Sequence, residues 1–165
     1  MKTQKIIRTF VLIVLSQLIF SCEDNPTENF YPPDNTERVT ISEGVWGNVW
    51  FWEGDFMPGS PDGTITPVVR EIYVYKATKG NLIQRDNERY PLIKEINSEL
   101  VTIIKSDFSG FFEIVLPEGK YSFFAKEDSL FFGSESDGAG YLMSAEVISN
   151  QITKRQININ YKAAY

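Results

Sequence analysis

Cys22 is the only thiol in this 165-residue chain, and the chain has no histidine. Those two facts remove most side-chain chemistry at once. No internal disulfide can form. Zinc sites built from cysteine and histidine are excluded, as is any mechanism that needs an imidazole. Serine, lysine and paired carboxylates remain, but no G-x-S-x-G nucleophile motif is present. Three groups of residues stand out. They are Cys22 itself, the evenly spaced Trp46, Trp50 and Trp52, and the acidic, glycine-bearing run from Lys126 to Gly140 with Glu127, Asp128, Glu135 and Asp137.

Cys22 sits at a boundary in composition. Lys2, Lys5 and Arg8 precede an apolar run from Phe10 to Phe20, and Ser21 then leads into the cysteine. A basic flank, a short apolar stretch and a small residue at the cut describe a secretory signal. The run falls short of the roughly 20 apolar residues that span a bilayer. Ile19-Phe20-Ser21-Cys22 resembles the lipobox of bacterial lipoproteins, with Phe20 bulkier than the usual residue there. The resemblance implies a helical signal peptide over 1–21, removed by cleavage. It also implies diacylglycerol on the Cys22 thiol and an acyl chain, such as palmitate, on its amine. One buried chain holds a protein only marginally, whereas two or three, at about 0.8 kcal/mol per methylene, hold it firmly. Glu23-Asp24 directly after the cysteine resembles the surface-export signal of Bacteroidetes lipoproteins. An outer-membrane, cell-surface location is the corresponding expectation.

Residues 22–38 are polar and include Pro26, Pro32 and Pro33, which predicts a flexible tether without a core. Without the three basic residues of the signal, 13 basic residues face 22 acidic ones, a net charge of -9. Such a chain lacks the basic stripe that binds nucleic acid. The 39–165 region is long enough for one ordinary domain with a core.

From residue 39 onward the apolar period is mostly two. Ile72 and Val74 share a face, as do Phe112, Ile114 and Leu116, then Tyr121, Phe123 and Ala125, then Ile157, Ile159 and Tyr161. Alternation rich in β-branched and aromatic residues predicts half-buried strands. About seven are expected, near 45–52, 70–77, 100–105, 111–116, 120–126, 142–149 and 155–161. This is an all-β chain, and many short strands with turn residues between them point to an antiparallel sandwich. Residues 91–100 are open between a short helix and an irregular crossover. Ser106-Asp-Phe-Ser-Gly110 and Pro117-Glu-Gly119 read as tight turns, which would make a three-strand meander of 101–126.

The run from Asp107 to Tyr121 resembles the hallmark of carboxypeptidase regulatory-like domains, D-x-x-G-x-F-x-I-x-L-P-x-G-x-Y. Gly47-Asn-Val49 resembles that family's opening G-x-V strand. The resemblance spans 44–161, with a longer insertion at 78–99 than is usual. It implies a seven-stranded transthyretin-like or immunoglobulin-like sandwich and says nearly nothing about activity. The enzymes of related topology use histidines that this chain lacks, and the family's peptidase activity belongs to a separate zinc domain. The expectation is therefore a non-catalytic binding or structural accessory module of the cell envelope, without cofactor, partnered by the membrane and by a glycan or an envelope protein. An enzyme with an unrecognised site is the remaining alternative.

Trp46, Trp50 and Trp52 share one strand face with Asn48, opposite Val45, Val49 and Phe51. With the aliphatic face inward, the tryptophans would form an outward stripe suited to stacking on sugar rings. The competing expectation is that the 53–69 loop covers them. Asp128, Glu135 and Asp137 are the calcium candidates, since oxygen-rich loops suit that ion, but their spacing does not match an EF-hand. The Arg85–Arg89 run and the carboxylates Glu53, Asp55 and Asp62 read as solvated loop.

Overall fold

The computed structural model describes residues 32–60 and 62–165. Twelve strands and two short 3-10 turns, Thr36–Arg38 and Gly80–Leu82, lie among them. The strands are β1 (Gly44–Asp55), β2 (Thr64–Pro67), β3 (Glu71–Lys76), β4 (Ile83–Arg85), β5 (Leu92–Ile96) and β6 (Leu100–Lys105). They continue with β7 (Phe111–Ile114), β8 (Gly119–Glu127), β9 (Leu130–Phe132), β10 (Ser144–Val147), β11 (Ile152–Lys154) and β12 (Ile157–Ala164). They build two sheets packed as an open sandwich.

The first sheet is organised around β1. Its N-terminal half lies between β11, parallel, and β7, antiparallel, with Val45 opposite Ile114 and Asn48 opposite Phe111. Its C-terminal half lies between β12, parallel, and β2, antiparallel, with Val49 opposite Ile157 and Trp50 opposite Pro67. The second sheet runs β4-β5-β9-β8-β3-β6, all antiparallel, with β10 against the first half of β8. Val45, Val49, Ile157 and Ile159 from the first sheet meet Ile72, Val74, Phe123 and Phe132 from the second in the core. All eight are fully buried. Phe112 and Phe123 stack across the layers with ring centroids 6.2 Å apart.

The expected seven segments are all strand at least in part, and the period-two faces point inward as read. Twelve strands form instead of about seven, the additions being β2, β4, β5, β9 and β11. Three further features differ. The segment 91–100 is neither helix nor crossover: Leu92–Ile96 is β5, paired with β4 and β9. The meander does not form. β6 and β8 both pair with β3, whereas β7 lies in the other sheet against β1. The turn residues fix a chain reversal, but they do not decide whether the next strand lies beside the last one or crosses to the opposite layer. The third difference is the end of the tether. Asn35 is buried, and its amide donates to Asn48 Oδ1 and, at 3.3 Å, to the Ser109 carbonyl. Arg38 pairs with Asp107 and lies over the Phe111 ring at 4.4 Å. Thr40 donates its backbone N–H to Glu113 at 2.9 Å. Polar composition marks absence of a core, but a polar segment still orders where its side chains find buried partners.

The two crossovers carry their own locks. Asp107 Oδ1 accepts the backbone N–H groups of Ser109 at 2.8 Å and Phe111 at 3.1 Å, and Gly110 closes the turn onto the Asp107 carbonyl at 2.9 Å. At the second crossover the Tyr121 hydroxyl donates to the Pro117 carbonyl at 2.9 Å. Gly110 has φ of +78°, and a Cβ there would sit 2.6 Å from the Val49 carbonyl oxygen, itself part of β1. Left-handed backbone alone costs an L-residue about 1–2 kcal/mol. Gly110→Ala should therefore lower unfolding stability in urea by about 2 kcal/mol or more, since a backbone clash is added. Gly59→Ala is the control: φ is +92° but nothing lies within 4 Å, so only about 1 kcal/mol should be lost.

Candidate functional site: the outer face of the first sheet

Alternation along β1 puts Val45 and Val49 into the core and turns Trp46, Asn48, Trp50 and Trp52 to the outer face of the sheet. Gly47 lies between them because the chain linking β11 to β12 passes close by. A Cβ at Gly47 would fall 1.7 Å from the Arg155 carbonyl oxygen. The outer face is not one uniform stripe. Trp46 is 7% exposed, tilted against Phe111 at 6.3 Å, with the Lys154 ammonium 4.7 Å above its ring. Asn48 is buried under Asn35. The half of the face near Trp46 is therefore closed by β7, β11 and the segment 35–40.

Trp50 and Trp52 are half-buried. Trp52 packs on Phe56 at 5.1 Å, and Phe56 stacks on Tyr165 at 5.8 Å with rings inclined by 23°. Phe56 is held there by its N–H to the Ala164 carbonyl at 2.9 Å, which ties the chain after β1 to the end of β12. Tyr165 is 65% exposed. The result is a row of three rings that starts in the sheet and ends in solvent. The indole nitrogens of Trp50 and Trp52 are shielded, and neither has a hydrogen-bond partner among the described residues. An unpaired buried donor costs about 1–3 kcal/mol, a cost this end of β1 carries.

The acidic loop is put to other uses. Asp128 occupies the first position of a two-residue turn between β8 and β9, with φ of +53°. Glu135 pairs with Arg155 at 2.9 Å. Asp137 accepts the backbone N–H groups of Tyr141 at 2.8 Å and Ala139 at 3.0 Å, and pairs with Lys120 at 3.1 Å. The Tyr141 N–H is the largest influence on the Asp137 carboxyl, and together these donors outweigh its desolvation and hold it at about 2. The three calcium candidates are not brought together, and no group of three or more Asp, Glu, His or Cys able to hold a metal ion lies among the described residues.

Two polar networks lie where composition suggested solvated loop or plain core. Glu127 is 6% exposed and binds Arg70 on one oxygen and the Tyr161 hydroxyl, at 2.8 Å, on the other. Burial first, and then the neighbouring Glu127 carboxylate, push the Tyr161 phenol up to about 12. Asp86 is buried, accepts the N–H groups of Glu88 and Arg89, and pairs with Arg89 at 3.0 Å. An Asp two or three residues ahead of free N–H groups is a turn signal that the alternating charge of Arg85–Arg89 masked.

Comparison with protein-family models finds no matching family, and comparisons with curated proteins and with solved structures find no match. Cys22, Glu23 and Asp24 lie outside the described residues.

Asp107 is also held at about 2: its desolvation is outweighed by hydrogen bonds from Arg38, from the Ser109 hydroxyl and from two backbone N–H groups. Both folded values lie below the ordinary 3.8. The stability they contribute is thus fully present above about pH 4 and is lost as pH falls through about 2. Acid unfolding should be steep over that interval. In Asp107→Asn or Asp137→Asn the stability-pH curve should be flatter there. Curves superimposable on wild type would show that these turns do not hold their carboxylates as described.

Proposed function

We propose that this chain is a bacterial lipoprotein, anchored by lipid on Cys22 and carrying a non-catalytic β-sandwich as a binding or structural accessory module of the cell envelope. The observation that carries the reading is the position of the sole cysteine, directly after a basic flank and a short apolar run. Residues 1–21 are the signal peptide in this reading. The location is the outer membrane, with Glu23-Asp24 supporting display on the cell surface. The sandwich is of the carboxypeptidase regulatory-like, transthyretin-like type. Supporting this, the hallmark residues have structural duties here: Asp107 and Gly110 form a turn, Phe112 and Leu116 are buried, and Tyr121 is bonded to Pro117. The non-catalytic reading is supported by how ionisable groups are used. Asp86, Asp107, Glu127 and Asp137 each bind a cation and, except for Glu127, backbone N–H groups that shape a turn.

Cys22→Ser should abolish palmitate incorporation and move the protein from the membrane to the soluble fraction. A variant that stays membrane-bound and labelled would sink the anchor. Protease treatment of whole cells tests display: cleavage without lysis is expected for surface exposure.

A glycan ligand is a second reading, favoured by the Trp52–Phe56–Tyr165 row. Aromatic rings that reach solvent stack on sugar faces, and Tyr165 presents the most exposed ring of the row. Tyr165→Ala should change stability by no more than about 0.5 kcal/mol yet weaken retention on envelope polysaccharide in affinity electrophoresis. Trp50→Ala should lower both stability and retention. Large destabilisation with unchanged retention would assign the tryptophans to packing alone.

A further inference from the structure

We propose that Phe108 and the turn carrying it rest on the lipid surface in which the chain is anchored. The proposal deepens the lipoprotein reading and depends on it. Phe108 is 84% exposed at the tip of the Asp107–Gly110 turn. The turn is built by Asp107, Ser109 and Gly110, whose polar groups and positive φ close it. Nothing in that geometry requires an aromatic residue at 108. Its neighbours Phe111 and Phe112 are 8% and 3% exposed, so the core is filled without it. Val69, 41% exposed, lies beside the same corner, where the Ser106 hydroxyl donates to the Val68 carbonyl and accepts the Arg70 N–H.

The segment leading back to Cys22 is fastened to this very turn. Asn35 bonds the Ser109 carbonyl, and Arg38 bonds the Ser109 hydroxyl and Asp107. From Cys22 to Pro32 is ten residues (32 minus 22), a reach of at most about 35 Å fully extended. The first fastened residue, Asn35, is thirteen residues from Cys22 (35 minus 22), at most about 45 Å of extended chain, so the anchor draws on the molecule from the side of this turn. Asp107 pairs with Arg38 and Glu127 with Arg70, while the exposed Asp34 and Glu37 of the fastened segment have no ion-pair partner among the described residues and stay above the headgroups. Glu37, exposed on the same segment, sets the depth: the ring enters the headgroup boundary and the backbone stays above it.

Val115 supplies the comparison. It is 65% exposed, apolar, and at the opposite end of β7 from the Phe108 turn. Cys22 is blocked by lipid in the mature protein, so a single new cysteine can be labelled. Full-length lipidated Phe108→Cys and Val115→Cys, each carrying an environment-sensitive fluorophore, are reconstituted into vesicles of phosphatidylethanolamine and phosphatidylglycerol containing brominated lipid. Thermal melts first confirm that both variants fold like wild type. The expected result is a blue-shifted probe at 108, quenched several-fold more strongly than the probe at 115. Equal quenching at both positions, or stronger quenching at 115, overturns the docking while leaving the anchor intact. Intact mass of the purified wild-type protein is the separate check. If it carries no acyl mass on Cys22, the anchor reading fails and the docking proposal falls with it.

Discussion

Strand β1 must satisfy hydrogen bonds on both edges over twelve residues, and four other strands are positioned by that requirement. A strand whose backbone is buried on both sides cannot leave an N–H or carbonyl unpaired without a cost of about 1–3 kcal/mol each. β7 and β2 answer on one edge, β11 and β12 on the other. The chain links between them are forced into close quarters. That is why Gly47 sits under the Arg155 carbonyl and Gly110 under that of Val49, two places where a methyl group has no room. The same ladder orders the outer face: it aims Val45 and Val49 into the core and so turns three tryptophans the other way.

The second requirement is that two sheets joined by crossovers stay in register. Apolar contact alone is tolerant of sliding, whereas polar contacts between layers are directional. Arg70, Glu127 and Tyr161 come from the entry to β3, from β8 and from β12, and thus link both sheets at one end. The Arg70 guanidinium lies 5.9 Å from the Phe51 ring, and Phe51 meets Tyr161 edge to face at 5.8 Å, so the network is walled by aromatic carbon. A buried ion pair is weak evidence for stability in itself, because desolvation offsets much of its attraction. Its contribution here is to fix which strands face each other. Ser106 acts within one sheet at the neighbouring corner, tying the end of β6 to the entry of β3 through the Val68 carbonyl and the Arg70 N–H.

Much of this was legible before the structure. Alternation at Ile72–Val74, Phe112–Ile114 and Ile157–Ile159 reported a local property, the half-buried strand, and held. Asp107 and Gly110 reported a local turn, and held. Strand partners were not legible, because the same turn serves a hairpin and a crossover. Leu92–Ile96 hid for a different reason: Ile93, Ile96 and Leu100 stand at helical spacing, and Leu92 and Ile93 are both buried while Lys94 and Glu95 are both exposed, so no period of two shows. β9 hid inside the acidic run, although Asp128-Ser129 between Glu127 and Leu130 is a two-residue hairpin turn of ordinary chemistry. For the site, the sequence put the tryptophans on one face correctly but could not divide it. Trp46 is closed over by residues 35–40, whose order comes from Asn48, Asp107 and Glu113, partners 13 to 73 residues away in the chain.

That fastened segment changes what the tether can do. A freely jointed tether running to residue 38 would let the sandwich present any face to the membrane. Order through Asn35 and Arg38 shortens the free length and fastens the segment to the Asp107–Gly110 turn, which lies against the middle of β1. Each ordered residue costs about 1–2 kcal/mol of backbone entropy, which the Arg38–Asp107 pair, the Asn35 bonds and the Arg38–Phe111 contact must offset. The return on that cost is orientation. Under the proposed lipid anchor, that fastening would turn the Phe108 side of the first sheet toward the membrane. Under that proposal the anchor sets the distance from the membrane, the fastened segment sets which side faces it, and the aromatic row is left for a ligand.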